Sequence, residues 1–246
     1  MEKQKQTFKI PKRKQPVFRI VRPILKLFFK PKPKIYFLEG QAPQEPAIFT
    51  INHVNKKGPM IYELYFPVFC AKWGAGQMLG NYKSRFRYLR DVLYIQKNGL
   101  KKFPATLKAG FEALFSIYFY RGMKILPTFT DARFMKTISY SVETLKSGTS
   151  IMIFPEDSSK GYFDIMTEFL PGFVMLAETY YKKTGVDLPV YPAYFDDHSK
   201  VILIGKPEYV QNYVKQGATR SEICEVFKNK VNVLYTDYIQ KQKYED

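Results

Sequence analysis

Cysteine, histidine and tryptophan are scarce in this sequence: two, two and one in 246 residues. Cys70 and Cys224 cannot build a disulfide framework and stand in no metal-ligand spacing, so a packed core must hold the fold and a reducing cytoplasm is the expected setting. Long apolar runs are missing as well. The most apolar long stretch, residues 103–120, is interrupted by Lys108 and Glu112, so nothing reads as a membrane-spanning helix. The run Ile24–Phe29 is short, is broken by Lys26 and leads to no small-residue cleavage site, so no secretory signal is expected. A chain of this kind that meets a membrane is expected to lie on it.

Acidic residues are also few, 22 against 39 Lys and Arg, for a formal net charge of +17. Residues 1–34 hold twelve of the basic residues and one acid, Glu2, so +11 of the +17 sits there, and the other 212 residues share +6. What the chain does have is 46% hydrophobic residues, which marks it as globular, and 17% aromatics, with 21 Phe and 19 Tyr. Such side chains suit a core or a surface that meets lipid.

The basic N-terminal part has a pattern. Helical spacing over residues 17–30 puts Val17, Ile20, Val21, Ile24, Leu27 and Phe28 roughly on one face, with Pro23 as a kink and Lys30-Pro31-Lys32-Pro33-Lys34 as an extended close. This reads as an interfacial amphipathic segment, in which each cation near an anionic leaflet adds about 1 kcal/mol. A solvated tail or a nucleic-acid-binding arm are the other readings; the apolar face favours lipid, because phosphate binding alone needs no Leu or Phe. The expected division is a membrane-interacting arm over 1–34 and one domain over 35–246.

Beyond residue 34, β-like runs and helical segments alternate. Strands are expected at 47–51, 92–95, 124–126, 149–154, 188–195 and 200–204. Helices are expected from Pro59 towards Trp73 and over 104–120, 132–146, 172–183 and 219–240. Ser147-Gly148 and Gly185 supply helix stops. The fold class is α/β: a single domain with a mainly parallel central sheet flanked by helices, closing in an antiparallel hairpin.

His198 follows Asp196-Asp197 in a turn between strands and reads as a surface residue. His53 lies instead on a loop after a strand and before a helix, where open α/β sheets bind ligands. A helix N-terminus and Lys56 and Lys57 would favour an anion there, and a neutral imidazole is a suitable general base near pH 7. A second strand, Thr149–Phe154, empties into Pro155-Glu156-Asp157-Ser158-Ser159-Lys160-Gly161, where carboxylates and hydroxyls are placed either to orient a polyol or phosphate acceptor or to form a solvated turn.

These residues resemble the glycerolipid acyltransferases of the 1-acylglycerol-3-phosphate acyltransferase type. Ile51-Asn52-His53 resembles the first motif, Phe154–Ser159 the F-P-E-G-T/S-x-S loop, Glu168–Phe173 with Leu176-Ala177 the segment after it, and Leu188–Ala193 the V-P-V-x-P run. The order matches across about 45–206. The resemblance implies acyl transfer from an acyl thioester of coenzyme A or acyl carrier protein to a hydroxyl of a lysophospholipid-like acceptor such as 1-acylglycerol-3-phosphate. It further implies His53 as catalytic base, Glu156 and Ser158 among the acceptor-binding residues, and no metal or bound cofactor. Asp157, Ser159, Lys56, Lys57 and Arg133 complete the expected binding set. The setting implied is peripheral, on the cytoplasmic face of a membrane with anionic lipids, with acyl carrier protein as a possible partner and no nucleic acid.

Four positions depart from the pattern. Gly58 stands where H-x-x-x-x-D has its aspartate, so Glu63, Asp131 or Asp157 would have to serve His53 instead. Asp157 replaces the glycine after F-P-E. The second-motif arginine is missing after Lys124–Pro127, and Arg133 comes later. His53 and Glu156 are 103 residues apart, a longer spacing than usual, with residues of about 97–123 as the insertion. An ordinary buried helix is the expectation for that Phe- and Tyr-rich segment, and a lipid-facing or acyl-lining one the alternative. A non-catalytic relative that binds lipid or acyl chains is the second functional reading, and nucleic-acid binding through the arm the third.

Overall fold

A computed structural model describes residues 16–54, 58–157 and 161–241. Lys56, Lys57, Ser158 and Ser159, and the basic residues before Pro16, lie outside the described residues.

Among the described residues the sheet has eight strands: β1 (Lys34–Phe37), β2 (Ile48–Ile51), β3 (Cys70–Ala75), β4 (Ile125–Thr128), β5 (Ser150–Ile153), β6 (Pro189–Asp196), β7 (Val201–Ile204) and β8 (Glu208–Tyr209). Their order is β1-β7-β6-β2-β5-β3-β4, with β8 beside β6. Pairing is parallel except where β6 meets β7 and β8, so the expected mainly parallel sheet with a closing hairpin is what forms. The central strands β2 and β5 are buried along their whole length, as a parallel strand covered on both faces must be.

Side chains alternate between two helical layers. Ile48, Ile151, Ile153 and Val190 pack against α5 (Phe134–Lys146), α6 (Gly172–Thr184) and α8 (Arg220–Tyr235). Phe49, Ile51, Met152 and Tyr191 face α2 (Gly58–Tyr65) and the inner side of α1 (Pro16–Phe28). The glycine stops act as expected: Gly148 and Gly185 follow α5 and α6 with φ of 78° and 73°, a conformation that L side chains rarely adopt. Thr219 and Glu222 close a capping box at the start of α8. Two further short α-helices are α3 (Tyr82–Arg87) and α7 (Val210–Lys215).

Three expectations are corrected. Residues 92–95 are not a strand but part of a π-helical stretch, Tyr88–Lys97. Leu89 and Tyr94, five apart as that winding requires, pack under α4 (Lys102–Gly122). The helix expected to run from Pro59 to Trp73 ends at Tyr65. Pro67 follows, and the chain enters the sheet as β3, whose buried Lys72 hid it from a hydrophobic pattern. That lysine is neutralised by Glu63 at 2.6 Å.

The third correction concerns 97–123. Helix α4 is buried on one side only: Ala105, Ala109 and Ala113 face inward, while Phe103, Leu107 and Phe111 are exposed. The predicted apolar face of α1 is likewise turned outward at Ile20, Ile24, Leu27 and Phe28. That helix is held by its other side. Leu25 and Phe29 join the core, and Arg22 donates to the Leu64 carbonyl at 2.7 Å. Among the described residues no helix is long and apolar enough to cross a membrane.

Candidate active site

Strand register builds the site. Thr50 of β2 is paired with Ile153 of β5. Three residues on from each come His53 and Glu156, so the two loops leave the carboxyl edge of the sheet side by side. The His53 main-chain N–H donates to Glu156 Oε1. His53 therefore lies against Glu156 although 103 residues separate them.

Asn52 fixes where the first loop departs. Its Nδ2 donates to the Phe195 carbonyl and its Oδ1 accepts from the Phe195 N–H, both at 2.9 Å. The Tyr62 hydroxyl also reaches Oδ1, at 2.9 Å. One buried side chain thus continues the β2–β6 ladder past the end of the strand. The second loop is pinned at its far end, where the Leu170 N–H donates to the Pro155 carbonyl at 2.7 Å and Phe169 bridges to Glu156. Asn232 of α8 exchanges two hydrogen bonds with Met166, each 2.9 Å.

The His53 ring lies between aromatics. Tyr162 stacks on it with centroids 4.9 Å apart and planes at 22°, and Phe154 meets it edge-on at 4.9 Å. A ring held on two sides has a fixed aim, which a general base requires.

Burial pushes the Glu156 carboxyl up to about 7, against the opposing influence of the His53 N–H and the Lys97 ammonium. Lys97 is itself half-buried, with burial lowering its pKa and Asp157 and Glu156 raising it. It brings a cation from the inserted segment to the carboxylate loop. Sequence reading missed Lys97, Tyr162 and the clamp role of Asn52, because each acts through a contact between distant segments.

The raised carboxyl has a consequence for stability. Between its ordinary value of 4.5 and about 7, Glu156 stays protonated in the fold while the unfolded chain ionises. The folded state then holds the extra proton, so stability falls as pH rises through this window and stays reduced above it. Glu156→Gln keeps an acceptor for the His53 N–H and removes this cost. We expect it to stabilise the protein by about 1–3 kcal/mol at pH 8 and hardly at all at pH 4.5. Urea unfolding at the two pH values checks this; equal effects at both would refute it.

The other candidates fall elsewhere. Glu63 is committed to Lys72, beside Lys124, whose burial lowers its pKa to about 8. This cluster is at the amino edge of β4, away from His53. Asp131 and Arg133 pair with each other on an exposed turn at 2.7 Å, which holds the Asp131 carboxyl low, at about 2. Arg133 also covers the Phe129 ring at 4.2 Å. It follows β4, three strand positions from β2 and so about 14 Å away in the sheet. The structure therefore does not bring Arg133, Glu63 or Asp131 to His53; it brings Glu156 to the His53 N–H. His198 is exposed in its turn, as expected.

Gly58 is more than a missing carboxylate. Its N–H donates to the Val54 carbonyl at 3.1 Å, and a Cβ there would fall onto the His53 carbonyl oxygen. Val54 itself sits at φ 45°, an unfavourable region for a β-branched residue. Among the described residues no group of three or more His, Cys, Asp or Glu side chains is placed to hold a metal ion.

No family model and no curated protein matches this chain. Among solved structures it is similar to the crystal structure of PlsC, the 1-acyl-sn-glycerophosphate (LPA) acyltransferase from Thermotoga maritima. Identity is 14%, coverage is 89% of this chain and 79% of that one, and the TM-score is 0.44. A functional reading therefore rests on this chain's own residues.

Proposed function

We propose that this protein is an O-acyltransferase of the membrane surface, moving a fatty acyl group from a coenzyme A or acyl-carrier-protein thioester to the hydroxyl of a lysophospholipid-like acceptor such as 1-acylglycerol-3-phosphate. The observation that carries the reading is the meeting of the two motif loops: His53 and Glu156 stand in contact at the carboxyl edge of adjacent parallel strands.

In this reading the His53 imidazole takes the proton of the acceptor hydroxyl as its oxygen attacks the thioester carbonyl. The C–S bond breaks, the ester forms, and the imidazolium returns the proton to the departing thiolate. Glu156 and Asp157, with Ser158 and Ser159 next in sequence, bind the acceptor. Lys97, together with Lys56 and Lys57, supplies positive charge for an acceptor phosphate. The protein works peripherally on the cytoplasmic face, with its N-terminal cations on anionic lipid.

One observation favours a second reading, a lipid- or acyl-binding relative without catalysis: the carboxylate beside His53 engages its main chain, and Gly58 offers none. Acyl transfer from both thioesters to lysophosphatidate and other lysolipids, by native protein beside His53→Ala, separates the two. Transfer that depends on His53 supports the enzyme. Folded native protein that binds lysolipid and transfers nothing across the panel supports the binding protein.

A further inference from the structure

Helix α4 carries its bulk on the wrong side for a soluble helix. Its inner face is Ala105, Ala109 and Ala113, fully buried at four-residue spacing, which lets it lie close against the π-helical stretch. Its outer face is Phe103, Leu107, Phe111, Phe115 and Tyr118, each 50–75% exposed. Large residues on a helix normally face the core, and a continuous exposed apolar stripe marks an interaction surface.

The N-terminal helix adjoins α4 and also exposes large apolar residues. Ile20, Leu27 and Phe28 of α1 point outward, while the Phe18 ring packs over Gly122 at the end of α4, where a Cβ would come within 2.5 Å of it.

Charge selects the occupant. The exposed charges along α4 are all positive: Lys101 and Lys102 at its start, Lys108 in the middle and Arg121 at its end. The one acid of the helix, Glu112, is half-buried and accepts from the Tyr94 hydroxyl. A second copy of this chain would set these cations against their like. An apolar stripe with a cationic rim fits an anionic lipid leaflet, with rings among the acyl chains and cations among the phosphates.

We propose that the outer face of α4, continued by that of α1, is a bilayer-docking surface that inserts aromatic side chains into an anionic leaflet. The site lies close by. Tyr120, on the inner side of α4, is within electrostatic range of Tyr162, the residue stacked on His53. The proposal rests on the surface of α4, and its test does not measure acyl transfer, so either reading can fail without the other.

The test is co-sedimentation of the full chain with vesicles of phosphatidylcholine and phosphatidylglycerol. Phe103→Ser combined with Phe111→Ser and Tyr118→Ser is expected to lower the partition coefficient at least about thirtyfold. Val186→Ser, at an exposed apolar position beyond α6, should leave it unchanged, and part of the native binding should survive high salt. A second measurement does not depend on the folding of the triple variant. Phe111→Trp adds an indole whose emission should be quenched by brominated acyl chains, beyond any quenching of the native Trp73, which is held by Ser141 at 2.8 Å. Unchanged binding by the triple variant, complete loss of native binding in high salt, no added quenching, or a native dimer that the triple variant dissociates would each overturn the proposal.

Discussion

His53→Ala is expected to reduce acyl transfer at least about a hundredfold, the lower end of what a positioned general base contributes. The imidazole stands at the carboxyl edge of β2, held between Tyr162 and Phe154, and Asn52 anchors the chain immediately before it. Truncation removes the ring and its two aromatic contacts but leaves the Asn52 bonds and the bond from the His53 main-chain N–H to Glu156. The variant should therefore fold, sediment with vesicles as the native protein does, and fail only in transfer. Initial rates at saturating acceptor, with circular dichroism as the folding control, make the comparison. Rates within a few-fold of native would remove His53 from the mechanism.

The second large effect is that Gly58→Asp should fail to supply His53 with the motif carboxylate it would restore in sequence. A Cβ at residue 58 runs into the His53 carbonyl oxygen and comes within 2.8 Å of its carbon. Main chain cannot swing aside as the end of a flexible side chain can, so relief requires the loop carrying His53 to shift. We expect a loss of about 2–4 kcal/mol and no gain in transfer. Gly58→Ala should cost about as much as Gly58→Asp, because the collision belongs to the Cβ and not to the carboxylate. Thermal unfolding of both variants beside the native protein tests this. A neutral Gly58→Ala, or activity raised by Gly58→Asp, would show that the loop is free to take another path.

Two short loops are held together by the register of adjacent strands, and the acid delivered to His53 comes from the second loop. Sequence alone does not choose among Glu63, Asp131 and Asp157 as substitutes for the missing aspartate, because the partner is set in space. In space Glu63 neutralises a buried lysine and Asp131 an exposed arginine. Glu156, which the sequence places among the acceptor-binding residues, is the carboxylate that accepts from the His53 N–H.

The sequence by itself determined the α/β class, the two strand ends from which the site is built, the glycine stops of α5 and α6 and the surface turn at His198. These follow from local causes: apolar runs bounded by turn residues, helix periodicity and the tolerance of glycine for positive φ. Tertiary structure decided the rest. Burial of Lys72 beside Glu63 admits β3 to the sheet, and a five-residue winding under α4 takes residues 92–95 out of it. Sequence spacing reports which residues share a helix face but not which face the protein covers. With small residues on one side of α4 and large apolar ones on the other, only packing decided that the alanines face inward and the rings outward.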